Sequence, residues 1–99
     1  MNQLTDSDRG RFRVHTEHSY YEIALGNYES TLVRHSKNVE GRSDLRQDVS
    51  PTTLTGIVRC VVGSSAAFDI IIDEAKKDSN YLVTKRITTP VDSIERLDD

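Results

Sequence analysis

Between Arg11 and Leu25 an apolar residue falls on almost every second position. Phe12 and Val14 alternate with Arg11, Arg13 and His15, and Tyr21, Ile23 and Leu25 alternate with Tyr20, Glu22 and Ala24. A period of two puts one set on a buried face and the other on a wet face, which is the pattern of half-buried strands. Gly26-Asn27 then separates this run from a third, Tyr28–His35, and a Gly-Asn pair in that position predicts a two-residue hairpin turn. The chain is therefore expected to open as a three-stranded meander, with Tyr21 and Tyr28 pointing into the core.

Beyond His35 the pattern changes. Ser36–Thr53 holds only Val39, Leu45 and Val49 as apolar residues among many polar ones, and predicts a long polar loop at 36-53 with a short turn near Asp44–Gln47. Leu54–Val62 is apolar and β-branched, and Gly63-Ser64-Ser65 reads as a turn. Ala66–Asp73 follows as a strand with Phe68, Ile70 and Ile72 on one face. Glu74–Asn80 reads as a turn, with one helical turn over 73–77 as the competing assignment. In Tyr81–Thr88, Tyr81, Val83 and Ile87 form the apolar face, against Leu82, Thr84 and Arg86. Thr89-Pro90 is expected to end that strand. Val91–Leu97 then forms a short strand or one helical turn.

These elements amount to six strands, or seven if 91–97 is extended, with no helix long enough to cover a sheet. Such a sheet must close on itself or split in two to bury its apolar face. The expected fold is all-β: a small six- to seven-stranded antiparallel barrel, SH3-like or similar, or a compact sandwich. The domain is expected over 11–97. Residues 1–10, polar and without an apolar stretch, read as a flexible tail rather than a signal peptide. The layout resembles short uncharacterised all-β proteins of the actinobacterial kind. The matching parts are Tyr20-Tyr21-Glu22-Ile23, Leu45-Arg46-x-Asp48, the Leu54…Gly63 strand and the closing Thr88-Thr89-Pro90-Val91…Ile94-Glu95. That resemblance implies a small all-β fold and supplies no functional residues.

Composition narrows the functional classes. Ninety-nine residues make one domain, and a hydrophobic fraction of 35% is lean for a core of that size. The net charge of −3 is spread evenly over the two halves, so attraction of the whole molecule to nucleic acid or to an anionic membrane is not expected. Cys60 is the one cysteine, which excludes a disulfide framework and any CxxC site. It is expected to be a buried thiol. The apolar runs are too short to span a bilayer, and the expected location is cytoplasmic.

Candidate chemistry concentrates on one face. If Thr16 pairs with Ser19, then His15 opposes Tyr20, Val14 opposes Tyr21, Arg13 opposes Glu22 and Phe12 opposes Ile23. If Leu25 pairs with Tyr28, then Tyr20 opposes Val33 and His18 opposes His35. Both registers put the same apolar set inside. The outer face would then gather Arg11, Arg13, His15, Tyr20, His18 and His35. Three convergent imidazoles suit a divalent metal and a metal-dependent hydrolase. Arginines beside a tyrosine suit a phosphate or a base. The simplest reading of Arg13 and Glu22 is a cross-strand ion pair.

Other motifs fall short. Glu40, Asp44 and Asp48 do not match an EF-hand loop, Gly63-Ser64-Ser65 lacks the lysine and further glycines of a phosphate-binding loop, and there is no G-x-S-x-G elbow. No catalytic residue, metal set or cofactor motif is therefore assigned. The leading expectation is a non-catalytic protein-interaction or self-assembly module, with a protein partner or a second copy as its ligand. Anion or nucleic-acid binding through the Arg11/Arg13/His15 face stands second, and hydrolysis through His15, His18 and His35 third.

Overall fold

In the computed structural model, which describes residues 1–36, 51–71 and 83–97, buried and more exposed side chains alternate regularly in the first two strands, and the alternation is broken in the later ones. The strands are β1 (Gly10–Thr16), β2 (Ser19–Leu25), β3 (Ser30–Ser36), β4 (Thr52–Arg59), β5 (Ser65–Ile71) and β6 (Val83–Arg96). Each pairs antiparallel with its neighbour in sequence, and β6 returns to pair with β1, closing a six-stranded barrel. Closure decides between the two expected architectures in favour of the barrel.

The core is the barrel interior. Phe12, Val14, Tyr21, Ile23, Leu32, Phe68, Ile70, Val91 and Ile94 are buried there, along with the Cys60 thiol. Burial pushes the Cys60 pKa up to about 11, since a thiolate loses its hydration in apolar surroundings. No helix among the described residues is long and apolar enough to cross a membrane.

The β1–β2 hairpin has the expected register: His15 faces Tyr20, Val14 faces Tyr21, Arg13 faces Glu22 and Phe12 faces Ile23. The β2–β3 hairpin departs from expectation by two residues. Leu25 pairs with Ser30, so the loop is Gly26–Glu29 and the Tyr28 side chain is fully exposed at its tip rather than in the core. The shifted register sets Ile23 against Leu32, both buried, where the shorter turn would have set Ile23 against Ser30. A slip of two preserves which face each side chain takes, so only these pairings distinguish the two registers. A Cβ on Gly26 would lie 2.7 Å from the Glu29 carbonyl oxygen, which explains the glycine at the loop entrance.

Residues 1–10 are not a free tail. Leu4 is fully buried and belongs to the core cluster. Its N–H donates to the Cys60 carbonyl (2.9 Å), and the Val62 N–H donates to the Asn2 carbonyl (2.9 Å). Further along, Asp6 Oδ1 accepts the Ile57 N–H at 2.7 Å. β3 and β4 share only two residue pairs, Thr31–Thr53 and Leu32–Thr52. The N-terminal segment lies along the residues that follow β4, through the Gln3–Val61 bridge, and reaches β4 itself through Asp6.

Two corrections concern β6. Thr89-Pro90 does not end the strand: β6 runs unbroken through it, and 91–97 is extended rather than helical. Pro90 stands opposite Ser65, where β6 leaves β5 and takes up β1 beginning with the Val91–Thr16 pair. A residue without an N–H loses no ladder bond at such a change of partner. The faces of the first half are also inverted. Val83 and Ile87 are exposed, while Arg86 lies opposite buried Phe68 and Thr88 is itself buried. The expected 36–53 loop falls mostly on 37–50, outside the described residues, as do the expected turn at 74–80 and the competing helical turn. Ser36 ends β3 and Thr52 opens β4.

Candidate functional site

Outward positions of β1, β2 and β3 and of the second half of β6 meet on one side of the barrel. The pairing His15–Tyr20–His35 runs straight across three strands. Next to it runs Glu95–Arg13–Glu22–Val33, again set by register. Cross-strand neighbours lie close enough for side chains to touch.

The Tyr20 ring is the centre. His35 stacks on it with centroids 4.7 Å apart and planes 12° apart, and His15 lies tilted on its other flank at 5.9 Å. The Arg13 guanidinium carbon sits 5.0 Å from the same ring centroid, within reach of the attraction between a cation and a π-face. Polar contacts frame the rings. Arg13 Nη2 donates to Glu22 Oε2 at 2.7 Å. His35 Nε2 lies 3.2 Å from the other Glu22 oxygen, and His15 Nε2 lies 2.8 Å from Glu95 Oε1.

Glu22 thus receives two donors. Hydrogen bonding to Arg13 lowers its pKa below the ordinary carboxylate value, against the opposing effect of partial burial. The same contact raises the Arg13 pKa. An ionised carboxylate only accepts, so His35 Nε2 carries the proton in this contact. The side chains of His15, His35, Glu22 and Arg13 are each about a quarter to a third exposed.

The expected set of six residues is only partly assembled. Arg13, His15, Tyr20 and His35 come together. Arg11 lies on the same strand face opposite Ala24, one step beyond the ring cluster. His18 sits in the β1–β2 turn, highly exposed, 3.5 Å from Glu17. It lines a cleft at the barrel mouth rather than joining the other two histidines. The two-residue shift in β2–β3 places His35 opposite Tyr20 instead of His18. Among the described residues no three His, Cys, Asp or Glu side chains are grouped to hold a metal ion, so the three-histidine arrangement is not formed.

Sequence reasoning missed Glu95, which reaches His15 only because β6 closes the barrel beside β1. It also missed the barrel mouth, where Arg34 and Arg86 occupy inward-side positions opposite Tyr21 and Phe68. For Arg34 the available signal was an arginine in alternation with inward Leu32; Arg86, expected on the outer face of its strand, gave none. No protein-family model, characterised protein or solved structure matches this chain.

Proposed function

We propose that this chain is a non-catalytic binding module that docks a protein surface onto the Tyr20-centred face, either that of a partner or that of a second copy. The observation that supports this reading most is the tyrosine held between two imidazoles beneath an arginine whose charge is already met by Glu22. Tyrosine and arginine dominate the energetics of protein interfaces. Side chains already locked by their neighbours lose little further freedom on binding.

The balance of charge favours a protein over a phosphate backbone. Arg13, Glu22 and Glu95 sum to one negative charge, and the Arg13–Glu22 contact at 2.7 Å leaves little of the guanidinium's field for a phosphate. The pairing of His15 with Glu95 acts in the same direction.

The test compares Tyr20→Ser on this face with Val58→Ser on the exposed side of β4. Sedimentation of the purified protein measures self-association, and affinity capture followed by binding of the recovered partner measures hetero-association. Tyr20→Ser is expected to abolish the association and Val58→Ser to leave it intact. A wild-type protein that stays monomeric and retains no partner overturns the proposal, as does equal binding by both variants.

A further inference from the structure

The barrel mouth carries a second, independent site. A cleft of about 360 Å³ is lined by residues of the β1–β2 turn, the end of β3 and the middle of β6. Three of its side chains, His18, Arg34 and Arg86, are basic, and Thr16, Ser19, Thr88 and Thr89 add hydroxyls, while Tyr21 and Ile87 complete the wall. No carboxylate lines the cleft among the described residues; Glu17 stands at the rim beside His18.

The hydroxyls are not equivalent. Thr16 Oγ1 donates to the Ser19 carbonyl, and Thr88 Oγ1 donates to the Thr89 carbonyl while accepting the Ala66 N–H. Those two protons are committed to the barrel. Ser19 and Thr89 make no side-chain hydrogen bond among the described residues, so their protons remain for a ligand. Arg86 is the telling group. Its Nε is buried and has no hydrogen-bond partner, and no ion pair engages its guanidinium among the described residues. Arg13 Nε is likewise buried and unmatched, but its guanidinium is met by Glu22, whereas Arg86 has no such partner among the described residues, and an unmatched buried donor on a cation is costly.

We propose that this cleft binds a phosphate-class oxyanion, held by the Arg86 guanidinium with Ser19 and Thr89 as neutral donors. A guanidinium presents a planar fork suited to two oxygens of such an anion. The cleft's volume exceeds that of a bare phosphate and leaves room for the group that carries it. The site lies at the barrel mouth, away from the Tyr20 rings, so the two proposals stand or fall separately.

The experiment is a titration of the full chain with inorganic phosphate, with sodium chloride at matched ionic strength as control. The readout is the Arg86 Nε–H resonance and the Ser19 and Thr89 amides in proton–nitrogen correlation spectra. Phosphate is expected to give a saturable shift of all three that chloride does not. Arg86→Gln should weaken binding at least about tenfold, the low end for a lost hydrogen bond to a charged group. Arg59→Gln, an equal change of charge outside the cleft, should leave binding unchanged. The absence of a saturable shift overturns the proposal. So does an identical response to chloride, or undiminished binding by a folded Arg86→Gln. The wild-type titration decides the matter even if that variant does not fold.

Discussion

Replacing Leu4 by alanine probes whether the N-terminal segment is part of the barrel or an appendage. The leucine is fully buried within the core cluster, in a segment with no other buried hydrophobic side chain. Removing a buried leucine side chain to Cβ costs about 2–5 kcal/mol, the spread reflecting how far the site collapses. Here the loss has a ceiling. The segment can detach, so the penalty cannot exceed the free energy with which Asn2–Asp6 docks through its three hydrogen bonds to Ile57, Cys60 and Val62. We expect about 3 kcal/mol, a large share of the roughly 5–15 kcal/mol available to a small domain. For a chain of this size that corresponds to a fall in Tm of about 12–24 °C. Thermal and urea unfolding followed by circular dichroism would measure it. Leu4→Met should cost less than about 1.5 kcal/mol because volume is kept. Asn2→Ala should change stability by less than about 0.5 kcal/mol, since Asn2 contributes its backbone carbonyl and its side chain is exposed. Leu4→Ala within about 0.5 kcal/mol of wild type would refute the reasoning, because that is the range of an ordinary surface substitution.

Glu22 gives a pH prediction. Its folded-state pKa is lowered from 4.5, chiefly by the hydrogen bond from Arg13, so its contribution is present above about pH 4.5 and is lost as pH falls through the folded value. Glu22→Gln should lower stability at neutral pH and flatten the acid limb, and urea midpoints at pH 3 and pH 7 that shift equally would contradict this. The Cys60 thiol, buried and with its pKa raised to about 11, should resist an aromatic disulfide reagent at pH 8 and react fully in urea; stoichiometric labelling of the native protein would refute it. Gly26→Ala should destabilise by about 1–2 kcal/mol through the 2.7 Å approach to the Glu29 carbonyl, a steric cost of the usual size, whereas an unchanged urea midpoint would show that the loop opens without strain.

The parts of the fold legible in the sequence are those where local pattern and pairing agree. Alternation fixed the faces of Phe12, Val14, Tyr21 and Ile23, and the tight turn at Glu17-His18 selected among the registers that keep all four inside, so the β1–β2 register followed from the two together. The β2–β3 register did not, because a slip of two residues leaves every side chain on its original face. Gly26-Asn27 imitates a two-residue turn, and only the pairing of Ile23 with Leu32 argues otherwise. Leu4 was invisible for a different reason. An isolated leucine in a polar segment has no period, and its burial depends on the docking of that segment against residues 60–62, more than fifty positions away. On β6, hydrophobicity alone sends Val83 and Ile87 inward, yet they face solvent while Arg86 and Thr88 line the polar mouth.

Closure also shapes both candidate sites. His15 and Glu95 are 80 positions apart in sequence and 2.8 Å apart in space, because β6 exchanges β5 for β1 at Pro90. That exchange splits one strand between two tasks. Its first half brings Arg86, Thr88 and Thr89 to the mouth, and its second half sets Glu95 beside the Tyr20 rings. Thr88 ties its half in place, accepting the Ala66 N–H and donating to the Thr89 carbonyl just before the crossing point. A change that shifted β6 by one residue would exchange its inward and outward side chains. It would remove Arg86 from the cleft and Glu95 from His15 together. The two surfaces are therefore coupled through the register of one strand, although no side chain described here belongs to both.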